Sequence, residues 1–126
     1  LIETALVLSL LLGLSLGGAE YGYALYLKHS LMAAVTVGLR EAIISGSTDT
    51  AVSSAVASQM SLNGMGSIPY TLTTVPASVN SCTAGTFVTV TVSCNWSATN
   101  INALPTSMGG IPPTKVFSAS ATMVHE

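Results

Sequence analysis

One uncharged run at the start of the chain constrains the fold more than any other feature. From Thr4 to Ala19 the sequence TALVLSLLLGLSLGGA carries no charge, and Glu3 and Glu20 bracket it. A helix rising about 1.5 Å per residue covers most of a bilayer core with that run. It covers all of it if the apolar stretch continues through Tyr21-Gly-Tyr-Ala-Leu-Tyr-Leu to Lys28. The helical pattern does not stop there. Leu31, Met32, Val35, Leu39 and Ile43 extend it as an amphipathic helix. A membrane-length apolar half fused to an amphipathic half has few uses in a small chain.

The chain opens at Leu1 with neither Met nor a basic leader. A secretory signal peptide would need a positive n-region. The expectation is therefore a retained apolar N-terminus from which a leader has been cut. Its 126 residues suit one modest domain and its stem. The division reads as 1–44 for a helical stem, its first half serving a membrane or filament core, and 45–126 for a small α+β head.

Charge excludes several functions. Lys and Arg number 3, Asp and Glu 5, and charged residues make up 6% of the chain, against about 25% in typical soluble proteins. Three basic residues give no footprint for phosphate backbones, so no nucleic acid is expected. A neutral Ser/Thr/Asn/Gly surface suits packing against copies of itself. Cys82 and Cys94, in a segment that has crossed a membrane, most simply pair with each other. Closing such a loop would contribute about 3 kcal/mol. The other soft metal ligands, His29 and His125, stand at opposite ends, and there is no CxxC. No metal and no cofactor are expected, and His125 reads as exposed.

The first helix reads from about Ile2 to Ile44, with Gly46 placed as its C′ residue. Gly13, Gly17, Gly18 and Gly22 give two small-xxx-small spacings, which let helices approach closely. The plainer alternative is flexibility at Gly17-Gly18. A second helix spans Thr50 to Leu62, capped by Thr48 or Asp49. Alternation with period two then marks strands over Tyr70–Val75, Phe87–Trp96 and Lys115–Val124. A hairpin over Asn80–Gly85 joins the first two, and a Pro/Gly/Asn-rich excursion over Asn100–Pro113 precedes the third. The fold class is α+β, the long helix packing against a short helix and a small antiparallel sheet.

No reactive groups converge: there is no Ser/His/Asp grouping, P-loop or dinucleotide fingerprint, so an enzyme is not expected. Two acids stand out instead. Glu3 either complements the helix dipole or neutralises the terminal ammonium of a neighbouring helix. Glu20 either marks a membrane surface, with Tyr21, Tyr23 and Tyr26 as an aromatic belt, or faces a partner such as Lys28 of another subunit.

Three segments carry a family resemblance: the opening Glu3-Thr-Ala-Leu-Val-Leu8, the pair Glu20 and Gly22, and the pair Gly38 and Arg40. The closing Ala119-Ser-Ala-Thr-Met123 with Glu126 adds to them. The chain resembles the TadE-like pilins and pseudopilins of the Tad branch of the type IV pilus superfamily. That resemblance implies a leader cleaved by a prepilin peptidase and anchoring in the inner membrane. It then implies handling by pilus assembly machinery and packing with copies of itself into an extracellular helical filament. Glu3, Gly13, Gly17, Gly18, Glu20 and Gly22 would be its assembly residues. Two alternatives stand beside the major-subunit reading: a minor pseudopilin that primes another protein's filament, and a membrane-anchored binding domain that never polymerises.

Overall fold

The computed structural model describes all residues from Leu1 to Glu126. Helix α1 spans Ile2–Ala42, α2 spans Asp49–Leu62, and the strands are β1 Thr71–Val75, β2 Phe87–Asn95 and β3 Val116–Val124. The strands form one antiparallel sheet in the order β1-β2-β3. The α+β class and all five elements are as the periodicity predicts. Helix α1 stops slightly early, with Ile43 as its C-cap, and Gly46 adopts its positive φ in the turn beyond rather than at C′.

The sheet buries one face and solvates the other, as an antiparallel sheet does. Val88, Val90, Val92 and Cys94 of β2 point inward, and the C-terminal half of α1 covers them. Leu27, Leu31, Ala34 and Val35 of α1 join Val56 and Met60 of α2 and Val92, Cys94 and Trp96 in one core. Leu39, Ala42, Val52, Val79, Val88 and Val90 form a second. The outward face is a hydroxyl ladder, Thr89 pairing with Thr122 at 2.7 Å and Thr91 with Ser120 at 2.9 Å.

Two local choices set how α2 sits. Gly38 lets it approach α1: a Cβ there would lie 2.5 Å from Val56 Cγ2. Thr48 caps α2 by accepting the Ala51 N–H at 3.1 Å. Asp49 then accepts from Val79 N–H at 2.7 Å and from the Ser78 hydroxyl at 2.8 Å, tying the helix start to the β1–β2 connection.

Two expectations are corrected. Cys82 and Cys94 are free thiols. Cys82 packs beside Val79, Val88 and Val90, whereas Cys94 belongs to the Trp96 cluster further along β2. At about 3.4 Å per residue, extended strand separates those neighbourhoods by more than 10 Å, beyond the reach of a disulfide. His125 is buried rather than exposed. Its backbone N–H donates to Thr86 O, and the Glu126 backbone N–H donates to Ile43 O, fastening the chain end to the end of α1.

Candidate functional site: an uncovered stem and its collar

Helix α1 is unburied along its whole length before Glu20. Its buried residues begin at Glu20, while Ile2, Leu6, Val7, Leu8, Leu10, Leu11, Leu12, Leu14 and Leu16 are all exposed. The helix is long and apolar enough to cross a membrane, and none of its most apolar window is buried. Nothing lies within 4 Å of where a Cβ would stand on Gly13, Gly17, Gly18 or Gly22. These four glycines therefore present open backbone rather than contacts within the head. Glu3 sits in the first turn, where the helix N-terminus favours an acid.

Glu20 is the surprise of the site. It is 0% exposed, and its oxygens accept the Leu104 N–H at 2.7 Å and the Ile111 N–H at 2.6 Å. Both oxygens accept, as an ionised carboxylate can, and charge-assisted bonds of this kind are the strong ones. Its bonds are made within its own chain, to neither a membrane surface nor a partner's lysine. The two amides flank the tip of the Pro/Gly-rich excursion, so one side chain closes that loop around the stem as a collar.

The collar is compact because its own bonds fold it. Met108 and Gly110 N–H both donate to Pro105 O, at 2.9 and 3.1 Å. Gly110 is required here, since a Cβ would collide with the Leu104 carbonyl. Leu104 and Met108 then lie against Ser9, Leu10, Gly13 and Leu14 across an open cleft. Met108 is 73% exposed.

All three tyrosines reach partners in the head. Tyr21 donates its hydroxyl to Gly109 O at 2.8 Å and Tyr26 donates to Asn63 O at 2.6 Å. Tyr23 reaches Met65 Sδ at 3.6 Å and packs edge-on to Trp96, ring centroids 6.0 Å apart. Each anchors a loop of the head to α1. Burial raises the pKa of the Cys94 thiol, which keeps it neutral and unreactive.

Residues 1–40 match the family model described as TadE-like protein. The stem is TadE-like. The matched segment is the uncovered half of α1 together with most of the half that packs into the head. The likeness is one of the stem, covering 40 of the 126 residues. No curated protein and no solved structure matches the chain.

Proposed function

We propose that this chain is a structural subunit that polymerises through its N-terminal helix into an extracellular Tad-type pilus used for surface attachment. One observation carries the reading. A TadE-like helix leaves a well-packed head with its apolar surface uncovered and its glycines open. Such a surface needs lipid or other helices around it, and small residues favour helices at close range.

In this reading the stem is anchored in the inner membrane after a prepilin peptidase removes a leader, and assembly machinery then transfers it to the filament. Glu3 is the polar contact between stems, and Gly13, Gly17, Gly18 and Gly22 are the close approaches. Glu20 serves assembly indirectly, by shaping the collar at the neck.

The test is electron cryo-microscopy of material sheared from producing cells, with mass spectrometry of its protein. Thin filaments composed mainly of this chain, helices in the core, are expected. Filaments in which it is scarce would make it a minor pseudopilin. No filaments, with the protein retained in membranes, would make it an anchored domain.

A further inference from the structure

Two of the chain's three basic side chains meet at one apolar groove, next to the point where the stem leaves the head. The groove, about 470 Å³, has one wall made by Tyr21, Ala24, Leu25 and Lys28 of α1. Their spacing places them on one helix face. Ile111, Phe117 and Lys115 form the opposite side. No acid lines it. Glu20, the nearest carboxylate in sequence, is buried and engaged by two amides, and Asp49 is engaged at the far end of the head.

We infer that this groove holds an anionic phospholipid while the stem is in the membrane. Lys28 and Lys115 take the phosphodiester, and an acyl chain lies along Leu25 and Tyr21 toward the bilayer. The inference rests on the membrane-anchored stage of the reading above. Three features select this occupant. Charge is the first: two ammonium groups face one uncharged cleft in a chain of net charge -2. Continuity is the second, because Tyr21 and Leu25, which wall the groove, are themselves exposed and follow Leu14 on the same side of the helix.

Level is the third. Side chains on a helix tilt toward its N-terminus, and lysine snorkels to keep its ammonium among polar groups. Lys28 therefore reaches back toward the stem side of the groove. A second copy fits less well. A neighbouring copy would bring Glu20 no closer, because that acid is already buried and engaged by two amides.

The test reconstitutes the full chain in nanodiscs of phosphatidylcholine doped with phosphatidylglycerol. Native mass spectrometry after release into detergent then counts retained lipids. Wild type should retain phosphatidylglycerol in preference to phosphatidylcholine, with roughly a fivefold contribution from each lysine. Lys28→Gln with Lys115→Gln should abolish the preference, whereas Arg40→Gln, outside the groove, should keep it. Equal retention of the two lipids by wild type, or a preference that survives the double substitution, overturns the inference and leaves the filament reading intact.

Displacement by inorganic phosphate alone would show a simple anion site and overturn the lipid assignment. Dimers that exclude phosphatidylglycerol would assign the groove to a second copy, with the same consequence. A chain that does not enter the bilayer at all overturns the membrane stage and this inference with it.

Discussion

Glu20→Gln tests the collar most directly. The carboxylate accepts two buried amides at 2.7 and 2.6 Å, and hydrogen bonds to a charged group contribute about 1.5–3 kcal/mol each. Glutamine keeps one acceptor oxygen and turns an NH2 donor toward the other amide. One bond is lost, and a donor then opposes a donor. The expected cost of holding the collar closed is about 3 kcal/mol. Global stability should fall by less, because the loop can peel from α1 and let water satisfy its amides while the core stays packed. Amide hydrogen exchange separates these outcomes. Leu104 and Ile111 should exchange about a hundredfold faster in the variant, since each 1.4 kcal/mol is a factor of ten. The amides of Leu31 and Val35 should be nearly unchanged. Unaltered protection at Leu104 and Ile111 would refute the carboxylate clamp, and uniform acceleration through the core would refute the collar as a separable unit.

Gly38→Ala places a methyl 2.5 Å from Val56 Cγ2 and should destabilise the head by about 1–3 kcal/mol through overpacking; a urea melt with unchanged slope checks it. Glu3→Ala should leave membrane insertion intact and reduce filament yield, and an equal yield of sheared filaments would remove that role from Glu3. Both cysteines should be free by mass, without change on reduction. A maleimide should label half-buried Cys82 well before buried Cys94 in the native protein. Because burial raises the Cys94 pKa in the fold, its contribution to stability is complete below the unfolded thiol value of about 8.5. It is lost as pH rises through the folded value. Cys94→Ala should flatten that alkaline decline in chemical melts.

Local pattern reached the elements and stopped at their partners. The apolar run, the period of 3.6 through Leu31, Val35 and Leu39, and the alternation of Val88 to Cys94 are signals that a few residues carry. The helices and strands follow them to within a residue or two. Glu20 could not be read this way, because its partners lie 84 and 91 residues away. One clue was available: a lone acid at the neck, and far along the chain an uncharged loop rich in Pro and Gly that needed acceptors for its amides. The partners of the tyrosine hydroxyls were out of reach for the same reason: Gly109 and Asn63 lie 88 and 37 residues from Tyr21 and Tyr26. The disulfide failed because counting cysteines names a partner without placing it. Cys82 packs against the Val79–Val88–Val90 cluster, whereas Cys94 joins the cluster of Trp96.

Solvent limits how the stem can be used. The ten large apolar side chains from Leu1 to Leu16 are exposed in the single chain. Each contributes about 1.5–3 kcal/mol when removed fully from water, and partial exposure leaves a total on the order of 10–20 kcal/mol. That equals or exceeds the whole stability of a typical domain, about 5–15 kcal/mol. A stem in water would therefore drive aggregation before ordered assembly, so on the proposed function a passage from bilayer to filament would have to be direct. Between lipid and filament core, moreover, little apolar area is gained, because acyl chains are as apolar as leucine. What favours the filament must be close packing and polar pairing, which the stem's open glycines and Glu3 are suited to provide. The collar fits the same logic. It buries Glu20, the acid at the neck, against backbone amides, so that in the proposed filament an apolar stem would enter its neighbours without an unpaired charge.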